Sequence, residues 1–183
     1  MPILINGRLS VLLIASTLQD WQFKGMENIK VLELSALEAI KDYELKKLRA
    51  QYADNPEAQI EAEMASWDAP WRQEALEHYL PMGWSFCFWE KEEVSSPLTA
   101  YFIAQPLVFY SGWTQSLWVE HMNYNNEDLG HQILDVAYRT ARSKHFQKMF
   151  VKNLDPKIKV FDKWKAKTHS NGVTEFTVAK ISE

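Results

Sequence analysis

The residues from Thr114 to Phe150 combine a strand, a polar turn and a long helix in an order that suits the binding of an anion. Thr114 to Met122 has the apolar content of a strand, and Asn123 to Asp128 follow as a polar loop. Leu129 and Gly130 then open a helix, where the first backbone N–H groups lack helical partners and the helix dipole adds positive potential. A phosphate or pyrophosphate suits such a turn. The alternative is an ordinary strand-to-helix connection that binds nothing.

The helix that follows the turn is amphipathic and basic at its end. Leu129, Ile133, Ala137 and Ala141 recur four residues apart, which predicts one apolar face, and the helix is expected to end near His145. A strand starts at Lys148. Two strands joined by such a helix are expected to run parallel through a right-handed crossover.

The elements on either side of this unit follow from turn and cap signals. A strand is predicted from Ile29 to Leu34, and Ser35 to Glu38 have the pattern of a capping box. Three helices are predicted next, ending near Tyr52, Trp67 and Leu80, and then an antiparallel meander of strands at 84–89, 98–110 and 114–122. After the strand at 148–154, we expect a short helix from Asp155 to Trp164 and a hairpin that turns at Asn171-Gly172.

Composition restricts the class of protein. The chain has 183 residues, a net charge of −4 and a hydrophobic fraction of 46%, which fit a packed domain and argue against a nucleic-acid surface. No stretch is apolar enough to span a membrane. The lone Cys87 excludes an intrachain disulfide framework and points to a cytoplasmic location. We expect one domain at 26–183, preceded by an appendage at 1–25 that holds a hairpin signal at Asn6-Gly7.

The predicted order of elements, β-α-α-α-β-β-β-α-β-α-β-β, resembles that of the GCN5-related N-acetyltransferase family. The resemblance covers roughly Ile29 to Ile181, and the segment LGHQILDVAYRTARSKHFQKMFV is similar to the family's loop-helix-strand core. It implies an α/β (α+β) fold with a mixed, mostly antiparallel central sheet flanked by helices. It also implies a V-shaped splay between the Thr114–Met122 and Lys148–Leu154 strands.

The resemblance implies an acyl-CoA-dependent N-acyltransferase that moves an acetyl group from acetyl-CoA to an amine. The acceptor is then a small-molecule or peptide amine, acetyl-CoA (coenzyme A) is the co-substrate, and no metal is expected, since the five histidines form no metal-binding motif. Two alternatives remain open. One is a catalytically inactive relative that binds or regulates, and the other is a structural interaction protein that forms a homodimer.

Two alignments to the family's pyrophosphate loop are possible. If Gly130 is the last small residue of the R/Q-x-x-G-x-G/A motif, Asn125 and Asp128 occupy its other fixed positions, and Leu129, Gly130 and His131 are the expected pyrophosphate-binding residues. In the other alignment, Glu120, Met122 and Tyr124 match the end of the family's strand, and the loop is about four residues short. Met122 and Tyr124 are then expected to line the pantetheine arm of the co-substrate.

By the same resemblance, Glu120 stands where the family often has its general base. An ammonium group must lose a proton before it attacks a thioester, so a carboxylate there has a clear role. Because side chains alternate along a strand, His121 is expected on the opposite face, which excludes a Glu120–His121 dyad. The family's usual acid, a tyrosine, is replaced by Phe161. Water is then expected to protonate the leaving thiolate.

Overall fold

The computed structural model describes residues 28–65, 73–91, 96–109, 114–160 and 162–178. Its strands are β1 Ile29–Val31, β2 Phe86–Trp89, β3 Leu98–Phe109, β4 Thr114–Tyr124, β5 Lys148–Lys152, β6 Lys167–Thr168 and β7 Val173–Thr177. They form a seven-stranded sheet in the order β1-β2-β3-β4-β5-β7-β6, in which β4 and β5 are parallel and all other neighbours are antiparallel. The predicted fold class, a mixed and mostly antiparallel sheet with flanking helices, is confirmed.

In the described ranges, the α-helices are α1 Leu37–Gln51, α2 Pro56–Ala65, α3 Gln73–Tyr79 and α4 Glu127–Ser143. Short 3-10 turns lie at Leu34–Ala36, Leu80–Met82 and Asp162–Trp164. The last of these is the helical part of the segment where the sequence predicted a helix from Asp155. The capping box at Ser35 to Glu38 is wrong, because Ala36 is the N-cap of α1 and makes no side-chain cap. Ser35 belongs instead to the 3-10 turn that precedes the helix.

Different helices cover the two faces of the sheet: α4 covers one face, and α1 and α3 cover the other. The apolar face of α4, including Ile133, Leu134 and Ala137, is fully buried in a core with Phe102 and Val119 of the sheet. This is the stripe that the four-residue spacing predicted. The opposite face has a second core, which joins Ile40 of α1 and Leu76 of α3 to Tyr101 and Ile103 of β3. Burial of each of the larger of these apolar side chains, such as Leu134 or Phe102, contributes roughly 1.5–3 kcal/mol.

The β4-α4-β5 crossover sits at the centre of the sheet. The parallel pairing of β4 with β5 runs from Ser116–Lys148 to Val119–Val151 and stops there. β4 continues to Tyr124, and among the described residues β3 is its strand partner over that length. The two parallel strands therefore part at one end, which confirms the predicted splay between them.

The edges of the sheet are β1 on one side and β6 on the other. β6 and β7 form the hairpin predicted from Asn171-Gly172, and Gly172 has a φ of +79°, a conformation that favours glycine. At the other edge, β1 pairs with β2. The predicted appendage at residues 1–25 lies outside the described residues, and so does the predicted helix end near Trp67.

Candidate functional site

A cavity of about 230 Å³ lies where β4 and β5 separate. Two of the predicted cofactor-binding residues, Met122 and Tyr124, are in its wall. The complete lining is Lys47, Met122, Asn123, Tyr124, Lys152, Asn153 and Asp155. The structure therefore brings the end of β4, the end of β5 and one lysine of α1 around a single opening.

A bulge in β4 stands beside this cavity. Ile103 pairs with His121 and the next residue, Ala104, pairs with Val119, so Glu120 has no partner in β3. A bulge of this kind adds one residue to a strand and interrupts the alternation of its side chains.

The bulge places Glu120 and His121 on the same face of the sheet. Trp118 and His121 lie opposite Gln105 and Ile103, two positions apart on β3 and therefore on one face. The indole Nε1 of Trp118 donates a hydrogen bond to Oε2 of Glu120, which brings that carboxylate to the same side. The predicted exclusion of a Glu120–His121 arrangement is wrong, because it assumed unbroken alternation along β4.

Both oxygens of Glu120 are hydrogen-bonded. Lys152 Nζ lies 2.8 Å from Oε1, and Trp118 donates to Oε2. Burial acts to raise the pKa of Glu120, but the hydrogen bonds from Lys152 and Trp118 outweigh it, so the pKa lies below its usual value. A carboxylate with a lowered pKa is ionised and weakly basic.

A second carboxylate, Glu44 of α1, is the centre of a polar cluster on this face. Its Oε1 accepts hydrogen bonds from His121 Nε2 at 3.0 Å, from Asn123 Nδ2 at 2.8 Å and from the hydroxyl of Tyr101. Burial acts to raise the pKa of Glu44, yet these hydrogen bonds and the charge of His121 bring it below its usual value. Glu44 is therefore a fixed negative charge against the His121 ring.

Lys47 joins α1 to the end of β4. Its Nζ donates to Asn123 Oδ1 at 2.5 Å and to the carbonyl oxygen of Tyr124. The hydroxyl of Tyr124 donates to Asp155 Oδ2 at 3.2 Å across the cavity. Burial, with the neighbouring Asp155 carboxylate, raises the pKa of Tyr124 to about 12, so this phenol keeps its proton at neutral pH.

The start of α4 differs from the predicted long loop. β4 runs to Tyr124 and α4 begins at Glu127, so only two residues separate them. Asn126 is the N-cap, with a side-chain oxygen that accepts from the Leu129 amide at 2.9 Å and a carbonyl that accepts from the Gly130 amide at 3.0 Å. His131 is half-buried within the helix. Two of the three predicted pyrophosphate donors are therefore already engaged by the chain itself.

Gly130 is closely packed against two side chains. A Cβ at this position would lie 2.4 Å from Ile158 Cδ1 and 3.0 Å from the ring of Tyr124. The glycine lets the first turn of α4 approach the cavity wall closely.

A wider groove of about 780 Å³ lies beside the start of α4. Lys47 lines both this groove and the smaller cavity. The groove is bordered by α1, by the strand ends near Trp89 and Leu98, and by Asn125, Asn126 and Leu129.

The sequence did not identify Glu44, Lys47 or Lys152 as members of the site. Glu44 lies four residues after the buried Ile40, on the covered face of α1, where a charged residue is unusual. That was an available signal for the glutamate. Lys152 could not be found in this way, because its contact with Glu120 depends on the register of two strands that are distant in the sequence. Phe161, the residue expected in place of the family's acid, lies outside the described residues.

Comparisons with known proteins give structural likenesses only. No family model matches the chain, and no curated protein matches it. Among solved structures, TTHA1254 from Thermus thermophilus is 20% identical over 45% of this chain and 58% of that one, with a TM-score of 0.37. A protein from Staphylococcus aureus Mu50, provisionally named an acetyltransferase, is 10% identical over 82% of this chain and 99% of that one, with a TM-score of 0.47. The matched chain of the KacTA–DNA complex is 13% identical over 56% of this chain and 76% of that one, with a TM-score of 0.37.

The match to TTHA1254 thus spans less than two thirds of that protein's length. Likenesses at these identities and scores do not establish an activity for this chain. Among the described residues, none of the helices is long and apolar enough to cross a membrane.

Proposed function

We propose that this chain is an acyl-CoA-dependent N-acyltransferase that moves an acetyl group from acetyl-CoA to an amine. The observation that carries the proposal is the end of the parallel β4–β5 pairing at Val119–Val151, which opens a cavity beside the bulged Glu120. In the family that the sequence resembles, such a splay admits the pantetheine arm. Acetyl-CoA supplies an activated acyl group as a thioester.

The residues of the splay fit an extended, largely apolar arm. Met122 and Tyr124 offer an apolar edge, and Asn123 and Asn153 offer amide groups. The β5-facing edge of β4 beyond Val119 has no strand partner among the described residues, so its backbone can bind a ligand amide. In this proposal, Met122 and Tyr124 line the arm.

The pyrophosphate end fits less directly. The amides of Leu129 and Gly130 are bonded to Asn126, whereas the amides of Glu127 and Asp128 have no partner in the described part of the chain. We place the pyrophosphate at this helix start, near Leu129, Gly130 and His131, with the Glu127 and Asp128 amides as donors. The carboxylates of Glu127 and Asp128 are exposed and must point away from the anion.

In the proposal, the acceptor amine loses its proton on the face of β4 that carries Glu120. The residues here hold two carboxylates, Glu120 and Glu44, in ionised form next to the opening. A cationic ammonium is the guest that such a face favours. In the proposal the acceptor approaches from this side, and Glu120 contributes its negative charge to the acceptor site.

A specific observation favours one alternative, an inactive relative that binds without turnover. Asn126 occupies amides that the family offers to the pyrophosphate, and two acidic residues follow it. If the helix start no longer binds an anion, the opening between β4 and β5 can still bind a ligand, but without acyl transfer.

Calorimetric titration with acetyl-CoA and with free coenzyme A tests the proposal. Binding of both, together with thiol release when a primary amine is added, is the expected result. Binding without thiol release from any of a panel of amines supports the inactive alternative. The absence of heat and of a thermal shift at millimolar coenzyme A overturns the proposal, because a ligand that binds the folded state must stabilise it.

A further inference from the structure

We propose that His121, oriented by Glu44, is the general base that takes the proton of the acceptor amine. The inference rests on the proposed function and deepens it. It starts from the bulge at Glu120, which places two titratable side chains side by side on the face of β4 that looks toward α1.

The two nitrogens of the His121 ring have different surroundings. Nε2 lies 3.0 Å from Glu44 Oε1. Nδ1 has no hydrogen-bond partner in the described part of the chain. A fully buried polar atom without a partner occurs there only at Ser116 Oγ, so Nδ1 is not fully buried. Nδ1 therefore reaches solvent. With Nε2–H donated to the carboxylate, Nδ1 carries the lone pair that can accept a proton.

Glu44 is held in place for this task. Tyr101 and Asn123 also donate to its Oε1, so the carboxylate cannot rotate away from the ring without losing two other hydrogen bonds. The centroid of the Tyr101 ring lies 5.6 Å from that of the imidazole, with the two planes at 47° to each other. Glu44 is thus a positioning residue, and its charge stabilises the imidazolium that forms.

The dyad adjoins the proposed acyl site. Asn123, which shares Oε1 of Glu44 with His121 and lies two residues further along β4 on the same face, lines the cavity between β4 and β5. Glu120, the other candidate base, has both oxygens engaged by Lys152 and Trp118. Each oxygen of Glu120 thus already accepts one hydrogen bond, whereas Nδ1 of His121 accepts none in the described part of the chain.

Atoms and electrons balance in the chemical step. The N–H bond of the acceptor ammonium breaks, the Nδ1–H bond of His121 forms, and the electron pair stays on the acceptor nitrogen. That pair forms the bond to the acyl carbon while the C–S bond breaks and its electrons leave on sulfur. The acceptor nitrogen loses a second proton, and the thiolate gains one.

His121→Gln tests the assignment, because glutamine keeps a donor for Glu44 but cannot act as a base. With acetyl-CoA and a panel of primary amines (an alkyl diamine, an amino acid, an aminoglycoside and a short peptide), thiol release is expected to fall by about 10²–10⁴-fold. Affinity for coenzyme A, measured by calorimetry, should not change. The activity of His121→Ala should be partly restored by added imidazole.

His169→Gln is the matched control. His169 also pairs with a glutamate, Glu175, at 3.1 Å, but it lies on the β6–β7 hairpin rather than at the cavity. Its loss should leave thiol release unchanged. Glu44→Gln should lower the rate and move the acid limb of the pH–rate profile to lower pH. The charged or titratable groups that face His121 are Glu44 of α1, Tyr101 of β3 and Glu120 of β4. The Glu44→Gln substitution removes the charge of Glu44 and leaves the other two groups in place.

Three outcomes would count against the assignment. An active enzyme that is indifferent to His121→Gln but loses activity with Glu120→Gln overturns this inference and keeps the proposed function. Loss of activity in His121→Ala without imidazole rescue makes His121 structural and also overturns the inference. An unmodified protein that releases no thiol with any amine overturns both.

Discussion

At the scale of single residues, the site contains two carboxylates that already accept hydrogen bonds from neighbouring side chains. Glu44 and Glu120 both have lowered pKa values, and in each case hydrogen bonds from neighbouring side chains outweigh the effect of burial. Each carboxylate therefore stabilises the folded chain only while it is ionised. Their contribution to folding and their contribution to chemistry depend on the same contacts.

Glu44→Gln should reduce the free energy of unfolding at pH 7 by about 1–3 kcal/mol, because three donors lose their ionised acceptor. The folded-state pKa of Glu44 is below the ordinary value of 4.5, so its stabilisation is complete above that pH and is lost as the pH falls through the folded-state value. The difference between the two proteins should therefore shrink in acid. Urea unfolding at pH 7 and at about pH 3 measures it, and a difference that grows in acid would contradict the assignment.

At the scale of elements, the start of α4 combines a tight helix approach with a self-made cap. Gly130 leaves room for Ile158 and Tyr124, and Asn126 closes the helix start. The glycine and the cap have separable consequences, since one concerns volume and the other concerns a hydrogen bond.

Gly130→Ala should lower the free energy of unfolding by about 1 kcal/mol. Overpacking costs roughly 1–3 kcal/mol, and alanine recovers about 1 kcal/mol of helix propensity. The clash is with Ile158 Cδ1, so the same substitution made together with Ile158→Val should cost less than it does alone. A double-mutant cycle by chemical denaturation gives the coupling. Equal costs in both backgrounds would show that Ile158 is not the obstacle.

Asn126→Gly should free the Leu129 amide and strengthen binding of coenzyme A, at a cost of only a few tenths of a kcal/mol in stability. The neighbouring Asn125→Gly is the control, because the described hydrogen bonds of Asn125 use its backbone. Calorimetry on the two variants measures the difference. Unchanged affinity in Asn126→Gly would mean that this amide does not face the ligand.

At the scale of the whole molecule, the sheet is unevenly protected. Apart from Glu120, β4 pairs with β3 along its length, and it pairs with β5 over part of it. β6 is a two-residue, exposed edge strand, whose partner among the described residues is β7. Amide hydrogens that join β3 to β4 should exchange only through global unfolding, and those of Lys167 and Thr168 should exchange first. Hydrogen-exchange mass spectrometry resolves these segments. Faster exchange in the β3–β4 pair than in β6 would contradict the topology.

The sequence was sufficient for the order of elements and for the central crossover, because apolar periodicity and turn residues are local signals. The four-residue spacing in α4 and the Asn171-Gly172 turn are examples. It was insufficient for the polar cluster, because Glu44 meets His121 only when α1 packs on β4. It also missed the bulge, although the apolar positions change phase across Glu120, from Leu117 and Val119 to Met122 and Tyr124.

The unpaired position of Glu120 has a further consequence, which concerns insertions and deletions. Val119 and His121 already pair with consecutive residues of β3, so removal of the residue between them would leave the register on both sides intact. Neither hydrophobic core would exchange a side chain for a polar one. A single codon gained or lost at this point can therefore add an acidic group to the mouth of the cleft, or withdraw it, while the rest of the sheet keeps its partners.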